Sequence, residues 1–171
     1  FAHMVMNAAM NGALRQGAID AGAEIIAPET VSDFTVSANG VTVSLGSGAS
    51  IAARLLVAAD GVRSRLRSLA GISTVAWTYG QSGIVVTVEH ERPHHGRAVE
   101  HFLPGGPFAI LPLAGNRSSL VWTEREAAAG RLVDGDPDLF AYELERRFGH
   151  QLGAIRPLDR PRAFPLGLTL A

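Results

Sequence analysis

The residues whose types and spacing could do chemistry run Leu55-Leu56-Val57-Ala58-Ala59-Asp60-Gly61-Val62-Arg63-Ser64-Arg65-Leu66-Arg67. An apolar run ends in an Asp-Gly turn and continues as a short helical pattern. Gly61 lets the backbone reverse sharply, because it has no Cβ to clash. Asp60 can cap the first turn of the helix, where free backbone N–H groups attract anions. Arg63 and Arg67 lie one helical turn apart on one side, and Ser64 adds a small donor. This grouping suits a phosphate or the edge of a dinucleotide. The plainer reading is a common Asp-Gly turn with an Asp cap and surface arginines, and spacing alone favours it.

The elements that must position this turn follow from pattern. Residues from Asn7 to Ala21 read as a helix with Ala9, Ala13 and Leu14 on one face and Gly22 as its stop. Glu24–Ala27 is a short strand candidate. Val31–Ala38 and Val41–Leu45 alternate apolar and polar residues around Asn39-Gly40, which signals a hairpin with a type I′ turn. Gly46–Ser50 makes a second turn. Ala53–Ala59 is almost wholly apolar and reads as a strand buried on both faces, which requires neighbouring strands. Val62–Ala70 is a helix with Val62, Leu66, Leu69 and Ala70 on one face, closed by Gly71.

The pattern then changes. Gly83–His90, Ala98–Leu103, Phe108–Leu113 and Ser118–Thr123 read as four successive strands of an antiparallel meander, with a turn at Pro104-Gly105-Gly106-Pro107. A helix follows with Asp136 as N-cap, Pro137 at its first position and Gly149 past its end. Phe140, Leu144 and Phe148 form its apolar stripe. Ala154–Arg160 and Arg162–Leu166 are the final strand candidates.

Composition narrows the function. Fifteen basic residues face 16 acidic ones, for a net charge of -1, so bulk charge points to no nucleic-acid partner. Every basic residue is Arg, which excludes a Schiff-base or P-loop lysine in this chain. Cys is absent, which excludes disulfides, thiolate nucleophiles and Cys-ligated metal here. No apolar run approaches a membrane span, and no signal peptide opens the chain, so a cytoplasmic location is expected. The start at Phe1 and the apolar end at Ala171 suggest an internal segment of a longer protein.

Asp60-Gly61-x-x-Ser64-x-x-Arg67 after an apolar strand resembles the Asp-Gly motif of flavoprotein aromatic hydroxylases. Glu100-His101-Phe102-Leu103-Pro104-Gly105-Gly106-Pro107-Phe108-Ala109-Ile110-Leu111-Pro112-Leu113 and Ser118-Ser119-Leu120-Val121-Trp122-Thr123 are similar to the ubiquinone-biosynthesis branch. So are Tyr79-Gly80-Gln81 and Phe164-Pro165-Leu166.

The resemblance implies FAD as cofactor and NAD(P)H as reductant, with Asp60, Gly61, Arg63, Ser64 and Arg67 near the flavin pyrophosphate. Asn7 is a further contact candidate, although Met6 stands where Glu is usual. Oxygen activated at reduced flavin would be transferred to the electron-rich ring of a polyprenylphenol, while the protein orients and shields the ring. Phe102, Phe108, Ile110 and Trp122 are candidates for the apolar wall of that pocket, with core packing as the competing role.

The expected fold class is mixed α/β and α+β. Residues 1–72 would form a partial FAD-binding α/β layer. Residues 73–165 would form an antiparallel-sheet substrate domain with helices, and 166–171 would return toward the FAD domain.

Two parts of the family's flavin site have no counterpart. The Gly-x-Gly-x-x-Gly loop is missing, and so are the Gly-Asp motif and the glycine-rich stretch after it. The chain alone is therefore expected to be inactive, to hold flavin weakly and to self-associate. Competing readings are a non-catalytic binding or assembly module, another phenol hydroxylase, and a flavin reductase acting on prenyl lipids. Peripheral attachment to the inner membrane or to a biosynthetic complex would suit a prenyl substrate.

His90, His94, His95 and His101, with Glu89, Glu91 and Glu100 beside them, raise the question of a metal. A turn at Pro93-His94-His95-Gly96 does not make ligands converge, so no metal is expected and the histidines read as solvated. Glu124-Arg125-Glu126 and Glu143–Arg147 read as solvated charged helix faces.

Overall fold

Alternating side chains, rather than helical stripes, dominate the architecture of this chain. A computed structural model describes residues 3–171. The chain divides into two units: Ala8–Ala76 with Thr169–Ala171, and Trp77–Leu168 with the residues up to Asn7.

The first unit, here the hairpin unit, opens with α1 (Asn7–Asp20), which buries none of its residues. Leu14, expected on an apolar face, is 65% exposed. Glu24–Ala27 forms no strand, since this run pairs with none of the described strands. β1 (Val31–Ser37), β2 (Gly40–Leu45) and β3 (Ser50–Ala53) make a three-stranded antiparallel sheet in sequence order. Ser37 pairs with Gly40, so the two turn residues are Ala38 and Asn39. The positive φ falls on Gly40 alone (146°), and the expected type I′ turn is not formed. A Cβ at Gly40 would sit 2.3 Å from the Ala53 carbonyl oxygen, so β2 and β3 approach closely only because this residue is glycine.

The expected buried strand Ala53–Ala59 is a correction. Only Ala53 is in a strand, and the chain beyond it is irregular and exposed, with Leu55 75% and Val57 70% accessible. A strand of this composition needs hydrogen-bonded neighbours on both sides, and among the described residues it has none. The following helix is also shorter than expected. α2 spans Arg65–Leu69 and buries only Leu66, while Val62 and Leu69 are exposed.

The second unit, here the sheet unit, holds the main core. β4 (Val75–His90), β5 (Val99–Leu103), β6 (Gly106–Pro112), β7 (Arg117–Arg125) and β8 (Ile155–Pro157) lie in the order β5-β6-β7-β4-β8. β9 (Arg162–Leu170) also pairs with β4. The order corrects the simple meander. β4 lies beside β7, not β5, and runs antiparallel to it from Gln81↔Arg125 to Glu89↔Arg117.

Registers assign the faces. Phe108 pairs with Trp122, and Ile110 with Leu120. Ile84 also pairs with Trp122, and Val86 with Leu120. These side chains share one face and are essentially buried.

That face is covered by two helices. α3 (Glu126–Asp134) was not foreseen as a separate element, and Glu124 and Arg125 belong to β7 rather than to a helix. α4 (Pro137–Phe148) has the expected punctuation: Asp136 accepts the Asp138 N–H at 2.9 Å, Pro137 opens the helix, and Gly149 ends it at φ 75°. Its stripe of Phe140, Leu144 and Phe148 joins the core. Trp122 packs edge-on against Phe108 and tilted against Phe140, both with ring centroids 5.9 Å apart.

Arg147 of α4 stacks its guanidinium over the Trp122 ring, 4.3 Å from the centroid. Glu124 accepts from both Trp122 Nε1 (3.1 Å) and Arg147 Nη2 (3.2 Å). Glu143 also pairs with Arg147, and that hydrogen bond holds its carboxyl below the usual range. Glu143 and Arg147 are thus partly buried and structural, whereas Glu145 and Arg146 of the same stretch are exposed as expected.

Leu144→Ala should destabilise the sheet unit by about 2–5 kcal/mol, as loss of a buried leucine does. Urea unfolding followed by far-UV circular dichroism measures this, and a change under about 1 kcal/mol would contradict the packing described. The exposed apolar side chains of residues 55–62 should make the chain self-associate. A monodisperse monomer in concentrated solution by light scattering is the contrary outcome.

Candidate functional site

The Asp60–Arg67 turn is built by its own side chains. Gly61 takes φ 85°, and the Ser64 N–H donates to the Gly61 carbonyl at 3.0 Å. Ser64, not Asp60, is the helix cap: its Oγ accepts from the Arg67 N–H at 3.0 Å. Asp60 stands behind it. Its Oδ1 accepts the Ser64 hydroxyl at 2.5 Å, and its Oδ2 accepts the Leu66 N–H at 3.2 Å.

The Ser64 hydroxyl chiefly holds the Asp60 carboxyl below the usual aspartate range; burial opposes it to a lesser degree, and the Leu66 N–H adds a still smaller lowering. Arg67 Nη2 donates to the Val62 carbonyl at 2.7 Å and closes the turn from the other side. Arg65 reaches β1, donating to the Ser32 carbonyl at 3.1 Å.

The expected free N–H groups are therefore used. Leu66 and Arg67 give theirs to Asp60 and Ser64. What remains for a ligand is Arg63, exposed and in no ion pair with a described carboxylate, beside open space at Gly61. These residues fit an edge contact with an anionic cofactor such as a flavin dinucleotide, not a complete cradle for one.

A cavity of about 770 Å³ lies between the β1–β2 hairpin and this turn, with Val36, Val41, Leu55, Leu56 and Leu66 among its walls. Its mainly apolar lining suits protein side chains better than a diphosphate. Asn7 is exposed at the first position of α1.

In the sheet unit the four proposed wall residues separate. Phe108 (0% exposed), Ile110 (5%) and Trp122 (1%) belong to the helix-covered core. Phe108 and Trp122 have no free surface for a ligand in this chain, because they pack under α3 and α4, and Ile110 faces that same side rather than the open one. Phe102 pairs with Pro107, so it points to the opposite face and is 84% exposed. Val85, Ala109, Leu111 and Val121 share that face and are half-buried. These four escaped the sequence reading, although counting outward from the Pro104-Gly105 turn separates Phe102 from Phe108.

The turn itself is fixed. Gln81 Nε2 donates to the Gly105 carbonyl at 2.9 Å, and a Cβ at Gly106 (φ 140°) would sit 2.6 Å from Thr123 Cγ2. No side chain fits there.

The expectation of solvated histidines fails for His90 and His94, while His95 is exposed. His90 is buried, with Nδ1 2.7 Å from the Arg92 carbonyl and Nε2 3.1 Å from Ser118 Oγ. A carbonyl can only accept, so Nδ1 carries the proton there. His94 is partly buried and uses both ring nitrogens, Nδ1 toward the Gly96 N–H of its loop and Nε2 toward the Leu113 carbonyl beyond β6.

A family model described as FAD binding domain matches residues 3–161. The chain belongs to this family. This FAD-binding-domain chain is 49% identical over 170 residues to the ubiquinone hydroxylase UbiL of Rhodospirillum rubrum, which covers 98% of it and 39% of that protein. It is 36% identical over 124 residues to the 3-demethoxyubiquinol 3-hydroxylase of Escherichia coli, covering 72% of this chain and 32% of that one. It thus spans well under half the length of these relatives.

Among solved structures, CabE, an aromatic hydroxylase from angucycline biosynthesis, matches with TM-score 0.64 and 22% identity, over 96% of this chain and 34% of that one. HpxO of Klebsiella pneumoniae, solved with FAD and uric acid, matches with TM-score 0.59 and 22% identity, over 81% and 36%. These structural likenesses concern the fold. The resemblance to flavoprotein aromatic hydroxylases and their ubiquinone branch is borne out.

Because the Asp60 pKa is lowered in the folded chain, the turn's stabilisation is present above the ordinary aspartate value of about 3.9 and fades as pH falls through the lowered one. Carboxyl NMR should place the Asp60 midpoint below about 3.9, and Ser64→Ala should raise it. The same substitution should cost α2 about 1 kcal/mol in local stability by hydrogen exchange. An ordinary Asp60 midpoint in the unmodified chain would mean the Asp60–Ser64 bond does not persist in solution.

Proposed function

We propose that this chain is part of an FAD- and NAD(P)H-dependent monooxygenase that hydroxylates the aromatic ring of a polyprenylphenol, a ubiquinone precursor. The observation that carries this reading is the likeness, along nearly the whole chain, to a protein named ubiquinone hydroxylase. Residues 1–72 are part of the FAD-binding domain, 73–165 the substrate domain, and 166–171 the return between them.

The roles divide by what each side chain is free to do. Asp60, Ser64 and Gly61 hold the turn, and Arg67 fixes it through the Val62 carbonyl while keeping other N–H donors. Arg63 makes the anionic contact with the cofactor, and Asn7 a second, uncharged one. Bound flavin would supply the redox and oxygen chemistry. The residues of this chain orient the substrate ring and keep water away from it.

The apolar wall is the face that carries Phe102, Val85, Ala109, Leu111 and Val121. Phe108, Ile110 and Trp122 set its shape from beneath. A face of this kind suits a hydrophobic ring and tail. No helix among the described residues is long and apolar enough to cross a membrane. A cytoplasmic protein, peripheral on the inner membrane where a prenyl substrate resides, fits the reading.

Two measurements test it. The purified chain, incubated with excess FAD and desalted, should show no flavin absorption. Stoichiometric retained flavin would place a complete site within these residues and overturn the partial-site reading. The polypeptide encoded by the uninterrupted gene, given FAD, NADPH and a short-tailed polyprenylphenol, should add one oxygen atom to the ring by mass spectrometry. NADPH oxidation without oxygen gain would instead support a flavin reductase.

A further inference from the structure

The sheet unit holds a second cavity, of about 430 Å³, on the helix-covered side of the β5–β6 edge. Its floor is apolar: Val99, Ile110, Phe148 and Leu152. Its rim carries Arg92, Arg97, His94, His95 and His101, and no carboxylate lines it. That imbalance stands out in a chain whose acidic residues outnumber its basic ones.

The nearest carboxylates in sequence are directed elsewhere. Glu91 Oε2 accepts the Ala154 N–H at 3.2 Å. Glu100 pairs with Ala109, on the face opposite His101. Neither Arg92 nor Arg97 forms an ion pair with a described carboxylate.

The loop between the two arginines is held in shape. The Gly96 N–H donates to His94 Nδ1 at 2.9 Å, so the ring proton is on Nε2, which donates to the Leu113 carbonyl at 2.9 Å. His94 is therefore a neutral, fixed wall. The Arg97 N–H closes the loop on the His94 carbonyl at 3.0 Å. His95 takes φ 52°, which no other non-glycine does among the described residues. Strained backbone of this kind clusters where a loop serves a ligand. The loop leaves two permanent cations and the His95 and His101 rings around an apolar floor.

We propose that this cavity binds a small organic oxyanion with an apolar body, its head held by Arg92 and Arg97 and its body on the Val99–Phe148 floor. Guanidinium groups without partners suit a carboxylate or phosphate head, and an apolar cavity with few polar groups suits the rest of such a ligand. The ligand is either a soluble metabolite or the phosphate end of an anionic lipid. The inference does not depend on the proposed hydroxylase activity.

Calorimetry on the chain with hexyl phosphate, inorganic phosphate and hexanol tests it. Hexyl phosphate should bind, with the other two each weaker by about tenfold or more. R92A/R97A should weaken hexyl phosphate by about tenfold or more and leave hexanol unchanged. Gln151→Glu, which sets a carboxylate on the exposed part of the lining, should do the same with the melting temperature kept. Equal binding of hexanol, equal binding of inorganic phosphate, or unchanged affinity in a folded R92A/R97A chain would each overturn the proposal.

Vesicles of phosphatidylcholine with and without phosphatidic acid separate the sources. Retention that needs phosphatidic acid and both arginines assigns a lipid. Hexyl phosphate binding without retention assigns a soluble ligand.

Discussion

The two-residue period of the strands is the constraint on which the sheet unit depends. Once Phe108, Trp122 and Ile84 lie opposite one another, every second residue of β4, β6 and β7 is committed to the helix-covered side. α4 completes that side with three residues and locks it with Arg147, whose guanidinium is held between an indole face and two carboxylates. The other face is then defined by what remains: Val85, Ala109, Leu111, Val121 and the protruding Phe102. A shift of one residue in register would exchange the two faces, so the tight Pro104-Gly105 turn, with Gly106 seated against Thr123, governs which surface the unit presents.

The hairpin unit meets a different constraint. A helix of five residues has little stability of its own. Asp60, Ser64 and Arg67 supply it by capping, backing and closing the turn. Groups that looked available for binding are therefore engaged in shape, and Arg63 alone of the motif's charged residues stays uncommitted.

Much of this was legible in the sequence, for physical reasons. α4 was legible because its cap, its proline, its stripe and its terminal glycine agree. The β1–β2 hairpin was legible from alternation, but its turn was displaced because Gly40 is needed against Ala53 rather than inside the turn. The Leu55–Ala59 run carries the composition of a buried strand, yet composition cannot form a strand without neighbours. Strand order was hidden because β4 reaches β7 across more than twenty intervening residues, a long-range pairing that no local pattern encodes. His90 was misjudged because its partners, the Arg92 carbonyl and Ser118, come from a turn and a strand that meet only in the folded chain. In the candidate site, the Asp60–Arg67 motif was found by type and spacing, while the division of labour within it depends on hydrogen bonds that spacing does not specify.

The burial of Trp122 has an optical consequence. Its indole is dry, hydrogen-bonded through Nε1, and covered by a cation, whereas Trp77 is 44% exposed. The chain has two tryptophans, so its intrinsic emission divides into a blue, shielded component and a red, quencher-accessible one. The blue component is tied to the docking of α4. Loosening of that helix would be visible as a colour change before the strands themselves separate.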